Sequence, residues 1–449
     1  MASIAAALNV IKDDVFQLLD ADAIDALCRE HHHVWRDRKL PPATTLGLFL
    51  QQILQGNCPC SEVRHLGEQA FTGSAYCQAR SHLPLSVCQS LLSTVIDAAL
   101  PAAGEEEHRW FGHRTFHIDG SSFSMPDTPS LQKAFGQPTG QKPGCGFPVA
   151  HLLVLFSAAT GLLLDASASP LYTSDICQTP DFHAHMNEGD VLLGDDSFSG
   201  YAHVALLLQG KLHGVFPNHH CRLVDFAAGR PYTHDGKGAV AGRPRSRWVR
   251  SLGQDDQLVE WFKPRHSPAW MSKQQYDALP ESIIVRETRR KLKLSDGRRL
   301  TVTTITTLLD EKKYPADELI DLRLRRWDVE TNIGHLKTTM NLKTLRCKSE
   351  DGVRKELAMF ALAYNLVRLV MLRAADKQHV AVSRISFIDA LKWMRHARPG
   401  DELPALLINP ARPHRIEPRE VKRRPKGYKL MSQPRDVLRK LLKKQVRNV

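Results

Sequence analysis

Two short β-prone segments in the middle of the chain each run into acidic residues, and this feature limits the fold more than any other. Thr115–Ile118 is followed by Asp119, and Val191–Leu193 is followed after one glycine by Asp195 and Asp196. In open α/β sheets, the carboxyl ends of neighbouring strands meet at one crevice, where such sheets place their sites. The pattern therefore predicts an α/β fold with carboxylates at one edge of a sheet.

Further apolar segments complete the predicted sheet. We predict strands at Val149–Phe156, Leu162–Leu164 and Gly214–Phe216, and a helix at Tyr201–Leu208. Three antiparallel strands followed by alternating strand and helix are typical of an α/β domain.

The chain on either side has a different pattern. Residues 1–108 place apolar residues at three- and four-residue steps, which predicts helices. Residues 218–308 alternate β-branched and polar residues, which predicts a β-rich insertion, and helices resume at Ala316. We therefore expect a helical N-terminal domain (1–108), a first core part (109–217), the insertion (218–308), a helical second core part (309–378) and a basic C-terminal region (379–449).

The charge distribution indicates a polyanionic partner. Of the 449 residues, 61 are Lys or Arg and 48 are Asp or Glu, which gives a net charge of +13. Residues 412–449 contain 14 basic and 3 acidic residues, so this end alone carries +11. A basic end is typical of contact with nucleic acid and equally of a solvated tail, so charge alone does not identify DNA.

Neither a membrane span nor a disulfide framework is predicted. No apolar run reaches the roughly 18 residues that a span needs. The nine cysteines are scattered along the chain. An odd count without regular spacing fits reduced cysteines in a cytoplasm.

A helix around Glu330 presents charged side chains beside an apolar stripe. At about 100° per residue, Arg326, Glu330 and Lys337 fall within about 40° of one another. The apolar residues lie to one side of them: Leu322, Val329, Ile333, Leu336 and Met340. Taken alone, this pattern also fits a surface helix stabilised by an Arg–Glu pair.

Glu330 becomes a candidate metal ligand when it is considered together with Asp119 and Asp195, the two acids that follow strands. Three carboxylates supply the oxygen ligands that hard divalent cations prefer. Two such ions about 3.5–4 Å apart stabilise the attacking and leaving oxygens of a phosphoryl displacement. Asp119, Asp195 and Glu330 are therefore candidate metal ligands and candidate catalytic residues of a phosphodiester-cleaving site.

Four segments, residues 116–127, 189–198, 326–337 and 363–368, carry a resemblance to a known family. The chain resembles the DDE transposases of bacterial insertion sequences, specifically the insertion-sequence-4 family. The third segment, Arg326-Trp-Asp-Val-Glu330-Thr-Asn-Ile-Gly-His-Leu-Lys337, is the most specific. Family members carry Tyr, two residues, Arg, three residues, Glu, six residues and Lys, and the last three match here.

The resemblance implies an RNase H-like catalytic core, a mixed five-stranded sheet with flanking helices, interrupted by a β-rich insertion. It implies that Asp119, Asp195 and Glu330 bind two Mg²⁺ ions, for which Mn²⁺ could substitute. Asp195 fits the second position better than Asp196, since the family's acid directly follows the strand and a small residue. Arg326 and Lys337 are expected to contact phosphates near the scissile bond.

Two positions depart from the family pattern. Arg323 stands where the family has its Tyr, and it can contact a phosphate but cannot stack in the same way. Some relatives place a Trp on the last strand of the insertion, where a flipped base can stack, and this chain has Val302-Thr303-Thr304 there. If a hairpin intermediate forms, the aromatic must come from elsewhere, with Trp261 and Trp270 as candidates.

The insertion also carries a basic cluster around Trp248. Its members are Lys237, Arg243, Arg245, Arg247 and Arg250, with no acidic residue from 237 to 250. Basic groups near an aromatic suit a nucleic-acid groove, and an exposed loop solubilised by arginine fits equally. The expected DNA contacts are Arg245, Arg247, Trp248, Arg323, Arg326 and Lys337.

The expected function is cut-and-paste transposition of an insertion sequence. The expected partners are double-stranded DNA, as terminal inverted repeats and target, and a second copy of the chain in a synaptic complex. The N-terminal domain would bind the DNA ends, in a bacterial cytoplasm at the nucleoid and without a membrane. Two alternatives stay open: a DNA-binding repressor derived from a transposase, and a metal-dependent nuclease without strand transfer.

Overall fold

Among the residues that the computed structural model describes, five helices precede the first strand. The structure describes residues 19–36, 38–67, 69–102, 104, 108–232, 243–293, 299–397, 401–410 and 431–447. The five helices are α1 (Ala21–Glu30), α2 (Pro42–Leu54), α3 (Cys60–Val63), α4 (Gly73–His82) and α5 (Leu85–Ala102). Buried residues of α1, α2 and α5 share one apolar core with the sheet that follows.

The nine strands of the described chain form one mixed sheet. They are β1 (Thr115–Ser124), β2 (Val149–Ser157), β3 (Leu163–Pro170), β4 (Val191–Leu193), β5 (His213–Pro217), β6 (Arg247–Gly253), β7 (Asp256–Phe262), β8 (Ser282–Lys293) and β9 (Arg299–Thr306). Helices α6 (Pro129–Phe135), α7 (Thr179–Phe182), α8 (Tyr201–Gln209) and α9 (Lys273–Asp277) lie between them along the chain. The order across the sheet is β3-β2-β1-β4-β5-β9-β8-β7-β6.

The half of the sheet from β3 to β5 contains the five predicted core strands. β1 pairs antiparallel with β2, and β2 pairs antiparallel with β3. β1 pairs parallel with β4, and β4 pairs parallel with β5 after the crossover through α8. The short apolar runs form strands because most of their side chains are buried on both faces of the sheet.

The strands of the predicted insertion extend the same sheet. β9 pairs antiparallel with β5, and β8, β7 and β6 follow as antiparallel neighbours. The sheet is therefore nine strands wide, where the sequence predicts five. A buried ion pair joins two of the added strands, since Arg286 of β8 donates to both carboxylate oxygens of Asp256 on β7 at 2.8 and 2.6 Å. The domain limits at 108, 217, 308 and 378 stay predictions.

The helical run predicted from Ala316 to Met340 is broken in the middle. α10 (Ala316–Leu324) and α11 (Trp327–Gly334) are separated at Arg325 and Arg326, and a π-helical turn, His335–Thr339, follows α11. The predicted apolar stripe is buried all the same, and none of its members is more than 8% exposed: Leu322, Val329, Ile333, Leu336 and Met340.

A 28-residue helix, α12 (Glu350–Lys377), lies in the core. By length and composition α12 could cross a membrane, but 89% of its most apolar stretch is buried inside the fold. Helices α4 and α5, taken together across their 78° bend, are also long and apolar enough. Helices α13 (Phe387–His396) and α14 (Arg435–Arg447) follow. Residues 411–430 of the basic C-terminal region lie outside the described residues.

Polar residues of α12 hold the turn between β2 and β3. Tyr364 donates its hydroxyl to the Gly161 carbonyl at 3.0 Å, and Arg368 donates to the preceding carbonyl at 3.0 and 2.8 Å. Asn365 accepts from the Leu163 amide and donates to its carbonyl, both at 2.8 Å. The segment 363–368, one of the four that carry the family resemblance, therefore has a structural role, because it fixes the β2–β3 hairpin beside β1.

Replacing Asn365 by leucine is expected to lower the free energy of unfolding by about 2–6 kcal/mol. The substitution leaves the Leu163 amide and carbonyl buried without partners, at about 1–3 kcal/mol each. Urea unfolding measures the loss. Asn409→Leu, at an exposed side chain, is the control, and an equally small loss in both variants would show that the two hydrogen bonds do not stabilise the hairpin.

Candidate active site

Asp119 lies within β1 and not at its end. The strand continues to Ser124, so the prediction that it ends at Asp119 is wrong. The parallel pairing of β1 with β4 stops earlier, at His117 and Leu193. Asp119 and Asp195 each lie two residues beyond that last pair, on neighbouring strands that are about 4.8 Å apart. The two acids therefore share one edge of the sheet, although only β4 ends there.

Gly120 packs closely against the Asp175 side chain. A Cβ at Gly120 would lie 2.4 Å from an Asp175 carboxylate oxygen, so a larger residue would force a shift. Asp175 pairs with His151 Nε2 at 2.5 Å. The sequence patterns missed Asp175, because it follows no strand and lies in a short 3₁₀ turn.

The Asp119 carboxylate is unfavourably placed as an anion. Burial raises its pKa from the ordinary 3.8 to about 6, although the Gly120 amide and Arg326 act in the opposite direction. The negative charges of Asp195 and Asp175 add to the rise. The influence of Asp195 on the pKa of Asp119 shows that these two acids interact across the sheet edge.

Asp195 and Asp196 turn toward different partners. Asp195 caps a 3₁₀ turn, Asp196–Phe198, and accepts from the Ser197 amide and hydroxyl at 2.8 and 2.5 Å. Asp196 instead pairs with His220 Nδ1 at 3.0 Å. Of the two, Asp195 is the one that raises the pKa of Asp119, which supports its selection over Asp196.

Arg326 lies between Asp119 and Glu330. Its Nη2 donates to Glu330 Oε1 at 3.0 Å, and its Nη1 lies 3.8 Å from Asp119 Oδ2. Glu330 is 58% exposed, whereas Arg326 is 18% exposed. One guanidinium therefore bridges the acid of α11 and the acid of β1, which brings the third carboxylate to the same edge of the sheet.

Lys337 contacts the same face of β1. Its Nζ donates to Ser121 Oγ at 2.7 Å, and Ser121 shares a strand face with Asp119 because alternate residues point the same way. Burial lowers the pKa of Lys337, and the nearby charge of Lys343 lowers it further. Lys337 belongs to the π-helical turn after α11, a distortion that is frequent at functional sites.

Arg323 carries a guanidinium nitrogen that lacks a partner. Its Nη1 is buried and makes no hydrogen bond to any of the described residues. Burial, followed by the positive charge of Arg326, lowers its pKa to about 10. Arg323 therefore lies near Arg326, and its unpartnered nitrogen is available to an acceptor that the described residues do not supply.

The three carboxylates are not arranged to hold a single ion between them. In the part of the chain that the structure describes, Asp119, Asp195 and Glu330 do not offer oxygens that all lie within 4.8 Å of one another. Two ions about 3.5–4 Å apart accept a wider set of ligands. A cation at this edge would also offset the burial and like-charge repulsion that raise the pKa of Asp119.

The basic residues of the insertion lie away from these acids. Arg247 and Trp248 are on β6, the edge strand, six strands from β1. At about 4.8 Å per strand, this separation is roughly 29 Å. Arg247 pairs with Glu260, and Lys237 lies outside the described residues. The structure therefore does not bring Arg245, Arg247 and Trp248 together with the carboxylates.

One proposed stacking residue is wrong, and another aromatic is better placed. Trp261 is fully buried on β7 and donates Nε1 to Glu287 at 3.2 Å, so it cannot stack on a base. Trp270 is partly buried against the core. Trp327, which sequence reasoning missed, is 66% exposed and directly follows Arg326. Its position inside the most specific motif was the available signal.

Comparison with known proteins identifies the class of protein that carries this site. The family model described as the transposase DDE domain matches residues 110–366, more than half of the chain. The chain therefore belongs to the DDE transposases, which cleave and transfer DNA strands in DNA transposition. The matched range contains all three candidate carboxylates.

A curated relative and a solved structure are also similar to the chain. Transposase InsG for insertion sequence element IS4 of Escherichia coli strain K12 is 25% identical over an alignment of 427 positions that covers 88% of this chain and 88% of that protein. The prediction of the insertion-sequence-4 family is thereby confirmed. The cryo-EM structure of a piggyBac transposase synaptic complex with hairpin DNA covers 86% of this chain and 77% of that chain, at 9% identity and a TM-score of 0.40.

Replacing Asp119 by asparagine is expected to stabilise the folded chain at neutral pH in the absence of divalent cations. The folded pKa, about 6, lies above the ordinary 3.8. The carboxyl's contribution to stability is therefore fully present below about pH 4 and is lost as the pH rises through 6. The free energy of unfolding of the variant should exceed that of the parent chain by about 1–3 kcal/mol near pH 7.5.

Urea unfolding in EDTA, near pH 4 and near pH 7.5, measures this difference. Asp181→Asn, at an exposed side chain, is the control and should show no such dependence on pH. If Asp119→Asn gains nothing between the two pH values, the pKa of Asp119 is not raised.

Proposed function

We propose that the chain catalyses cut-and-paste transposition of an insertion sequence by two-metal-ion phosphoryl transfer at Asp119, Asp195 and Glu330. The observation that carries this proposal is the position of Arg326 between Asp119 and Glu330, with Asp195 near enough to raise the pKa of Asp119. Asp119 on a strand and Glu330 on a helix thus meet beside a side chain that also suits phosphate, and Asp195 lies on the neighbouring strand.

The three acids are the residues that would hold two Mg²⁺ ions, with Mn²⁺ as a substitute. Carboxylate oxygens fit hard cations that keep some of their water ligands. Of the three ligands, Asp119 would lie between the other two. Arg326 links it to Glu330, and the charge of Asp195 raises its pKa. When bound, such ions stabilise charge on the attacking and leaving oxygens of an in-line displacement.

Arg326, Lys337 and Arg323 would hold phosphates of the scissile strand. A guanidinium matches a phosphate in a bidentate manner, and an ammonium acts as a point charge. A phosphate at this edge would supply an acceptor for the Arg323 Nη1, which has none among the described residues. Positioning and charge stabilisation are what phosphoryl transfer requires of a protein, so no covalent enzyme intermediate is needed.

The proposed reaction consists of two transfers at one site. Water attacks the phosphodiester at each end of the element, the P–O3′ bond breaks, and a 3′-hydroxyl is freed. That hydroxyl then attacks a target phosphodiester, so that one P–O bond forms as another breaks. Because both ends have to be joined to the same target, we propose that the chain acts as a homodimer in a synaptic complex.

We infer an RNase H-like core from the strand order β3-β2-β1-β4-β5. The first three strands are antiparallel neighbours, and β4 and β5 add parallel to β1. Two candidate acids lie on the central strand and just after its parallel neighbour, and the third lies on α11, which packs against the sheet. Strands β6 to β9 then correspond to the β-rich insertion of the family.

Terminal inverted repeats and target DNA are the proposed substrates, in a bacterial cytoplasm at the nucleoid. The roughly 29 Å from β1 to β6 equals about eight base pairs at 3.4 Å each. Arg245, Arg247 and Trp248 would therefore contact DNA well away from the scissile bond. The helices before β1 are the proposed end-binding part.

Incubation of the full chain with Mg²⁺ and linear DNA that carries the element's inverted repeats tests the proposal against both alternatives. Excised ends that become joined to target DNA support transposition. Cuts without joining would point to a nuclease, and binding without cuts would point to a repressor.

Glu330→Gln should bind the same DNA as tightly as the parent chain and cleave it at least about 10²–10³-fold more slowly, the usual loss of one charge-stabilising group. Glu350→Gln is the matched control, because Glu350 forms the same kind of pair with an arginine four residues on, Arg354, at 2.9 Å. A gel assay of cleaved ends measures both. Undiminished cleavage by Glu330→Gln would remove Glu330 from the site.

We propose that Trp327 stacks on an unpaired base next to the scissile phosphate. Base–aromatic stacking contributes about 1–3 kcal/mol per base, so Trp327→Ala should weaken binding to DNA with an unpaired terminal base about 5- to 150-fold. Trp327→Phe should restore most of the affinity. Because the side chain is 66% exposed, neither variant should unfold. Equal affinity of Trp327→Ala and the parent chain would exclude this role.

A further inference from the structure

Three potential metal ligands lie together in the turn that follows β5. His219, His220 and Cys221 offer ligand atoms that all lie within 4.8 Å of one another, and they form the one such group among the residues that the structure describes. His219 is half-buried, and the other two are exposed. Because β4 and β5 run parallel, this turn leaves the sheet at the same edge as Asp195.

The backbone of the turn is fixed by groups other than these side chains. Asn218 Nδ2 donates to the carbonyls of His219 and Arg222, both at 3.0 Å. The Arg222 amide donates to the His219 carbonyl at 2.8 Å. The Arg222 guanidinium is buried and lies 3.8 Å above the Trp261 ring. The interior of the protein therefore holds the backbone from which the three ligands project.

His220 is already oriented in the way that metal-binding histidines are. Its Nδ1 lies 3.0 Å from Asp196 Oδ2, which leaves Nε2 to bind a metal. A carboxylate on the far nitrogen of a ligand histidine fixes the tautomer and makes the other nitrogen more basic. His219 Nδ1 accepts a hydrogen bond from the Cys221 amide at 3.1 Å. Because a neutral imidazole has one nitrogen lone pair, a metal bound to either nitrogen of this ring would replace that hydrogen bond.

The chemistry of the donors selects the ion. Two imidazoles and a thiolate suit zinc, whereas Mg²⁺ prefers oxygen ligands. We propose that His219, His220 and Cys221 bind one Zn²⁺ ion, with water as the fourth ligand and Asp196 as the carboxylate behind His220. On binding, the Cys221 thiol releases its proton to solvent and the sulfur bonds to the metal.

A zinc ion in this turn would brace the edge of the sheet that carries Asp195. Asp196 directly follows Asp195 and would be tied through His220 to the turn after β5, so the ends of β4 and β5 would be held at a fixed separation. This structural role rests on the proposed function, whereas the binding of zinc does not.

Titration of the full metal-free chain with Co²⁺, in excess Mg²⁺ and without DNA, tests the site. Cobalt occupies zinc sites, and its coordination by a thiolate gives a near-ultraviolet charge-transfer band that carboxylate ligands do not give. We expect the band to saturate at one Co²⁺ per chain and to disappear when Zn²⁺ is added. It should be absent from Cys221→Ser and from His220→Ala.

Variants of neighbouring residues complete the test. Asp196→Asn should keep the band and weaken Zn²⁺ binding about 10- to 100-fold, the usual effect of losing such a carboxylate. Cys77→Ser, at another exposed cysteine, should bind Co²⁺ with the same band as the parent chain. A parent chain without the band, or a band that survives Cys221→Ser, would overturn the assignment. Because no DNA is cut, the result does not depend on whether the chain transposes.

Discussion

The repulsion between carboxylates at one partly buried edge of the sheet is the constraint on which the rest of the site depends. Burial and the charges of Asp195 and Asp175 push Asp119 toward protonation, and Arg326, 3.8 Å away, offsets only part of this effect. A well-packed apolar residue would serve stability at least as well. The unfavourable negative charge at Asp119 is therefore explained by the ligands of the site. In the proposed mechanism these are a pair of cations, which the carboxylates bind, and then a phosphate.

The fold keeps these charges together by means that involve no charge at the site. The parallel pairing of β1 with β4 sets the separation of Asp119 and Asp195, and the buried apolar side of α11 sets the position of Glu330. The clamp of Asn365 on Leu163 fixes the hairpin that supports β1 from its other side. Packing and backbone hydrogen bonds that lie mostly outside the site therefore offset the electrostatic repulsion between the carboxylates.

The sequence predicts the elements of this fold better than their relations. Short apolar runs identify all five core strands, because burial on both faces leaves a continuous apolar signal. The sequence predicts that the strand ends at Asp119, yet it continues through Gly120, which packs closely against Asp175, a residue 55 positions along the chain that no local pattern connects with it. The pairing of β9 with β5 is equally non-local, and so the added strands are recognised as β but not as part of the same sheet.

The same limit applies within the site. The spacing of Arg326 and Glu330 predicts their ion pair, whereas the contact of Arg326 with Asp119, 207 residues away along the chain, has no local signal. Trp261 is an available aromatic as far as the sequence shows, but it is buried on β7, where Trp261 and Gln257 both donate to Glu287 of β8. Asp195 and Asp196 follow the same strand, and only the 3₁₀ turn that sends one toward Asp119 and the other toward His220 separates their roles. Adjacent acids can therefore have different partners, which only the three-dimensional structure distinguishes.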